Sequence, residues 1–430
     1  MAFKHYDVVR AASPSDLAKR ITQKLKEGWQ PYGSALISTA GYGAEFIQPV
    51  VSEGSISSPE EPGNRPTTSA PSVAPEYYYV IALAGQSNGM SYGEGLPLPD
   101  TFDSPDPRIK QLARRSTVTP GGAACIYNDI IPADHCLHDV EDMTGLNHPK
   151  ADLSKGQYGC VGQGLHIAKK LLPFIPANAG ILLVPCCRGG SAFTTGTDGT
   201  YSDTTGASES STRWGVGRPL YKDLIGRTKA ALAKNPKNVL LAVVWMQGEF
   251  DFNGTPANHA ARFTEVVDQY RADLADMAGQ CVGGSADSVP WICGDTTYFW
   301  KQKNETAYQT VYGSYKNKTE KNIHFVPFMT DENGVNVPTN KPEEDPDIPD
   351  IGYYGSKWRT DRSTWTSQDR ASHFSSWARR GIISDRLATA ILSCAGKSSA
   401  FVNGTAGVVV PDRPVTTSES VIFYDAKKAS

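Results

Sequence analysis

The sequence predicts an α/β protein: a doubly wound parallel sheet flanked by helices, preceded by a small α+β module. Three observations carry this. Tyr77–Ala84 (YYYVIALA), Gly180–Pro185 (GILLVP) and Val239–Met246 (VLLAVVWM) are unbroken apolar runs, as expected of parallel strands covered on both faces. Stretches with helical apolar spacing lie between and after them, which is the alternation of a doubly wound sheet. Residues 52–76 are rich in Ser, Pro, Glu and Gly, a composition that cannot bury enough apolar surface to offset ordering entropy.

Taken in order, residues 1–51 read as a β-α-β-β module. HYDVVRA is a short strand, and Ser13-Pro14-Ser15-Asp16 is a helix start ahead of Leu17, Ile21 and Leu25. Trp29 to Ile37 and Tyr42 to Val51 read as two further strands around a Gly-containing turn. Residues 52–76 are then a flexible linker. The main domain, 77–396, holds the three buried strands, with helices predicted over Gly162–Leu172, Leu220–Lys234 and Ala260–Met277. The last of these has Phe263, Val266, Val267, Tyr270 and Leu274 on one side. A final helix is predicted from Ser375 to Leu392, with Ile383, Leu387 and Ile391 four apart. Residues 397–430 form a tail or the start of a further domain.

The chain has 430 residues, 39% apolar and 20% charged, with a net charge of −3. That is a globular composition, with no basic run to bind nucleic acid or an anionic membrane and no apolar run of membrane-spanning length. The N-terminus has no apolar leader, so cytoplasmic synthesis is expected, with release on cell lysis compatible with it. Eight cysteines without regular spacing suggest mostly free thiols, with a disulfide such as Cys281–Cys293 left open.

Each apolar strand ends in a polar, glycine-containing loop: Gly85-Gln86-Ser87-Asn88-Gly89-Met90, Arg188-Gly189-Gly190-Ser191, and Gln247-Gly248-Glu249-Phe250-Asp251. In an open α/β sheet ligands bind beyond the carboxyl ends of the strands, so these loops should share one pocket. A serine, close-approach glycines, an amide and carboxylates are the set that acyl transfer requires. Gly85-x-Ser87-x-Gly89 has the spacing of a nucleophile elbow. Unlike the α/β-hydrolases, the serine follows the first strand of its domain. The same residues also suit a plain strand-end turn.

The block ALAGQSNGM resembles the first signature of the SGNH/GDSL-type sialate O-acetylesterases, also grouped as carbohydrate esterase family 6. WMQGEFD is similar to that family's third block, with Met246 where many members have His. The run SHFSSWARRGIISDRLATAI resembles its last block. The likeness covers roughly residues 77–395, and the N-terminal module with its linker resembles the arrangement in prophage-encoded sialic acid 9-O-acetylesterases of enteric bacteria.

This resemblance implies a serine esterase that needs no metal or other cofactor and removes O-acetyl groups from sialic acid or a sialoglycan. It implies Ser87 as nucleophile and His373 as general base. The oxyanion donors implied are the backbone N–H groups of Ser87 and Gly190 and the Gln247 side-chain amide. Glu249 is favoured to orient His373, with Asp369 or a backbone carbonyl as alternatives, because Arg370 stands where many SGNH enzymes carry Asp. Gln86, Asn88 and Arg188 are assigned to substrate binding. A guanidinium at Arg188 suits a sugar carboxylate, and equally an internal ion pair. Trp300, Tyr308, Tyr312, Trp358 and Trp365 are candidates for stacking on sugar rings, most of them more simply packing. Acetylated xylan or a similar polysaccharide is the substrate alternative. A metal hydrolase built on Asp134-His135-Cys136-Leu137-His138-Asp139 and His148, and a non-catalytic phage carbohydrate-binding protein, are the rival readings.

Overall fold

The computed structural model describes residues 5–11, 14–26, 29–31, 36–38, 45–52, 74–90, 93–94, 105–114, 117–118, 124–133, 160–328, 372–374 and 378–395. They fall into two compact units, one before and one after the boundary at residues 73 and 74.

In the first unit, β1 (His5–Ala11), α1 (Pro14–Lys26), β2 (Gln30–Pro31), β3 (Leu36–Ser38) and β4 (Glu45–Ser52) follow in order. β4 pairs antiparallel with each of the other strands. The stretch from Trp29 to Ile37, expected as one strand, contains β2 and the start of β3; Pro31, at the end of β2, has no N–H to offer a ladder. Val9, Leu17, Trp29 and Val50 form the core with Ile21 packed on it. Lys24 Nζ lies 4.8 Å from the Trp29 ring centroid. Leu25 is 50% exposed, so the apolar stripe of α1 is narrower than its spacing suggested.

The second unit is built on a seven-stranded sheet. Its strands are β5 (Tyr77–Gly85), β6 (Ile109–Leu112), β7 (Ile130–Pro132), β8 (Ala179–Pro185), β9 (Val239–Met246), β10 (Trp291–Gly294) and β11 (Ile323–Val326). The order across the sheet is β7-β6-β8-β5-β9-β10-β11. All pairings are parallel except that of edge strand β7 with β6. Every residue from Tyr79 to Gly85 and throughout β8 is buried. Side chains on both sheet faces are therefore out of water, each large one contributing about 1.5–3 kcal/mol of hydrophobic stabilisation.

Among the described residues four longer helices flank the sheet: α2 (Gly164–Leu171), α3 (Pro219–Ala233), α4 (His259–Asp273) and, after the short α5 (Tyr298–Lys303) and α6 (Glu305–Val311), α7 (Ser384–Ala395). α2 packs with α7, and α3 with α4. α4 stops short of the expected Met277, because Leu274 leaves helical geometry and a 3₁₀ stretch, Ala275–Gln280, takes over. The last helix is entered through a π-type turn, Arg379–Ile383, around the non-helical Gly381. No helix among the described residues is long and apolar enough to cross a membrane. Cys281 and Cys293 are buried free thiols, so no disulfide joins them. The Asp134–His148 cluster, Asp369, Trp358, Trp365 and residues 397–430 lie outside the described residues.

This topology fixes where the chemistry sits. The chain steps from β5 to β8 on one side, then crosses to β9 on the other, so the strand order reverses at the carboxyl end of β5. That reversal opens the crevice in which doubly wound sheets bind ligands.

Candidate active site

The loop after β5 carries Ser87. Gly85 turns the chain with φ +129°, and a Cβ there would stand 2.1 Å from Met246 O, so only glycine fits. Gln86 N then donates to Met246 O at 2.7 Å, and Ser87–Gly89 form one 3₁₀ turn. Ser87 is 7% exposed. Its N–H donates to no acceptor among the described residues, as expected at the start of a helical turn.

The loop after β8 brings a second open N–H. Gly190 has φ +64°, with the Phe250 ring 3.5 Å from where a Cβ would stand, and its N–H also has no protein acceptor among the described residues. Ser191 fastens the turn: its Oγ donates to Arg188 O at 2.7 Å and accepts from Trp214 Nε1 at 2.8 Å. Arg188, assigned above to the substrate carboxylate, is 1% exposed and donates through Nη2 to Ser208 O.

The loop after β9 departs furthest from expectation. Gln247 is fully buried; its Nε2 donates to Asp251 Oδ2 at 2.7 Å and to Ser191 O at 3.3 Å. Both amide protons are thus committed within the protein, and the side chain is not an available oxyanion donor. Asp251 also accepts from Phe193 N, from Thr194 N and Oγ1, and pairs with His259 Nδ1 at 3.0 Å. His259 Nε2 meets Tyr315 Oη, which donates to Gln247 O. Burial raises the Asp251 pKa, but the hydrogen bond and charge of His259, with Thr194 and Gln247, bring it down to about 2. This network, buried except for Thr194, joins the loops after β8 and β9.

Glu249 is 1% exposed, and its Oε1 accepts from Asn88 Nδ2 at 2.8 Å and Thr296 Oγ1 at 2.7 Å. Burial pushes its carboxyl above the usual range against the lowering from Thr296 and Asn88. It does not bond His373 directly. Instead Asn88 carries the connection: Nδ2 also donates to Ser372 O at 3.1 Å, and Oδ1 accepts from Phe374 N at 3.2 Å. Asn88 therefore grips the chain on both sides of His373, and its amide is used up in doing so. It positions the histidine segment. His373 itself is half-buried, and its Nδ1 lies 3.0 Å from Ser372 Oγ.

Two more residues hold the histidine segment in place. Trp300 Nε1 donates to Ser372 O at 3.0 Å. Arg379, fully buried, donates through Nη1 to Asn88 O and Met90 O and through Nε to Phe374 O. One guanidinium thus joins the serine loop to the histidine segment. Tyr308 and Tyr312 are buried packing residues and not sugar platforms. Thr296, Ser372, Arg379 and His259 did not stand out in the sequence. Thr296 follows the four-residue strand β10, too short to register as an apolar run, and the others gain meaning only from their partners in space.

With this geometry described, comparison with known proteins is direct. Residues 78–326 match the family described as carbohydrate esterase, sialic acid-specific acetylesterase. The chain belongs to that family. Residues 3–53 match a separate family described as a domain of unknown function, DUF1737. A protein of Escherichia coli (strain K12) named "Probable 9-O-acetyl-N-acetylneuraminic acid deacetylase" is 55% identical over 321 residues, 74% of this chain and 97% of that protein. The crystal structure of NanS, 55% identical, superposes with a TM-score of 0.67 over 75% of this chain and 98% of that one. The esterase unit therefore has the SGNH-type fold, and the N-terminal module lies outside the esterase match.

Proposed function

We propose that this chain is a serine esterase that removes the 9-O-acetyl group from N-acetylneuraminic acid through an acetyl-serine intermediate. The observation that carries the reading is the pairing of Ser87 with His373 by one side chain: Asn88, next to the serine, bonds the backbone on both sides of the histidine. The family membership and the name of the E. coli relative support the substrate.

In this reading Ser87 Oγ attacks the acetyl carbonyl while His373 takes its proton, and the histidine then returns it to the departing sugar hydroxyl. Ser372 Oγ, 3.0 Å from Nδ1, orients the ring. That is the role a carboxylate plays in a triad. Glu249 acts at one remove, by fixing Asn88. The Ser87 and Gly190 N–H groups receive the oxyanion. Water then hydrolyses the acetyl-enzyme by the same route.

The test is acetate release from 9-O-acetylated sialic acid and from acetylated xylan, with Ser87→Ala and His373→Ala beside the wild type. Release from the sialic acid alone, lost in both variants, is expected. Release from xylan alone contradicts the substrate, and release that survives Ser87→Ala contradicts the mechanism.

A further inference from the structure

Stabilising the tetrahedral oxyanion calls for donors aimed where the charge develops. Ser87 and Gly190 offer one N–H each, and the Gln247 amide is occupied by Asp251 and Ser191 O. Gln86, immediately before the nucleophile, is in the opposite condition. It is 1% exposed, and its Oε1 accepts from Gly248 N and Phe250 N, both at 3.3 Å. Two backbone donors on that atom settle which end of the amide is oxygen. Nε2 has no acceptor among the described residues and is not one of the fully buried side-chain atoms that lack a partner, so it is open to a group entering the site.

The surroundings suggest what the partner is. Gln86 is bonded to Phe250 N, and the Phe250 ring lies against Gly190. The free amide therefore belongs to the same small region as the Ser87 and Gly190 N–H groups. We propose that Gln86 Nε2 is the third oxyanion donor, taking the position expected of Gln247. The inference rests on the acetyl-serine reading above. In the step it assists, Ser87 Oγ bonds to the acetyl carbon, the carbonyl π pair moves to oxygen, and His373 holds the serine proton. Gln86 Nε2–H, Ser87 N–H and Gly190 N–H share the new negative charge. Collapse returns the pair to the carbonyl, breaks the bond to the sugar oxygen and delivers the proton to it.

The experiment uses the full chain with Gln86→Glu and Gln86→Ala. Glu keeps an acceptor for Gly248 N and Phe250 N, and so keeps the loop, but removes the N–H donor; Ala removes both. Steady-state kinetics on 9-O-acetylated sialic acid are measured together with binding of methylboronic acid, which adds to a serine hydroxyl as a tetrahedral anion. Loss of one such donor costs about 10²–10³ in kcat. Both variants are expected to show a loss of that size with KM little changed, and to bind the boronate more weakly to match. A Gln86→Glu variant with wild-type kcat and boronate affinity overturns the proposal, as does a loss confined to KM. Ser87→Ala run in parallel separates the two levels. If it still releases acetate, the acetyl-serine reading itself fails; if it is inactive while Gln86→Glu is unimpaired, only the donor assignment fails.

Discussion

Asn88→Ala tests whether the amide next to the nucleophile is a positioning device. The substitution removes the bonds to Glu249 Oε1 at 2.8 Å, Ser372 O at 3.1 Å and Phe374 N at 3.2 Å. Glu249 keeps Thr296, and Ser372 O keeps Trp300. Of the groups that lose Asn88, the Phe374 N–H bears the fullest desolvation cost. At about 1 kcal/mol net per bond, with an added penalty for that N–H, the loss is about 2–4 kcal/mol. In a unit of this size it lowers Tm by roughly 5–10 °C. The catalytic effect should be larger in proportion, because His373 sits between the two backbone contacts that disappear. A displacement near 1 Å costs about 10² in rate. Thermal unfolding and steady-state acetate release on the same preparation measure both. A variant that melts early yet keeps kcat within about threefold of wild type would refute the clamp, since kcat reports transition-state geometry.

Other substitutions probe the neighbouring parts. Glu249→Gln keeps an acceptor for Asn88 and Thr296, so kcat should stay within about tenfold of wild type, whereas Glu249→Ala should fall toward the Asn88→Ala level; a Gln variant as inactive as a nucleophile knockout would show that the charge itself is needed. Asp251 has its folded pKa lowered from 3.8 to about 2. Its ionised form therefore contributes about 2 kcal/mol above the ordinary value, a contribution lost as the pH falls through 3.8 toward 2. Denaturant unfolding of wild type and Asp251→Asn at several pH values should show the stability gap closing in acid; a gap independent of pH contradicts it. Gly85→Ala forces a Cβ to 2.1 Å from Met246 O at φ +129°, so little soluble folded protein is expected, and a variant with wild-type Tm would contradict that geometry.

The parts of this architecture that depend on chain-local patterns were legible in the sequence. β5, β8 and β9 are buried on both faces, and burial on both faces is what an unbroken apolar run encodes. Their ends line up in the sheet, Met246 opposite Gly85, so placing the three loops together required only the rule for open α/β sheets. β10 and β11 are four residues each and leave no comparable trace. Side-chain roles were harder to read. Gln247 and Asn88 are polar residues at the mouth of a sheet, and sequence position alone does not distinguish a side chain facing the crevice from one bonded inward. What decides is the partner: Asp251 for Gln247, and Glu249 with the histidine segment for Asn88. Arg379 is the clearest case. In the sequence it is half of an Arg-Arg pair on a helix; in the fold it is the link between the serine loop and the histidine segment.

The central claim is that acetate leaves by way of Ser87, and trapping the acyl-enzyme tests it most directly. The protein is mixed with 9-O-acetylated sialic acid, quenched in acid at short times and digested, and the peptides are read by mass spectrometry. The account predicts acetyl mass on the peptide containing Ser87, and none when the Ser87→Ala variant is treated alike. Sustained acetate release from Ser87→Ala, with no acetyl group on that peptide in the wild type, would contradict it.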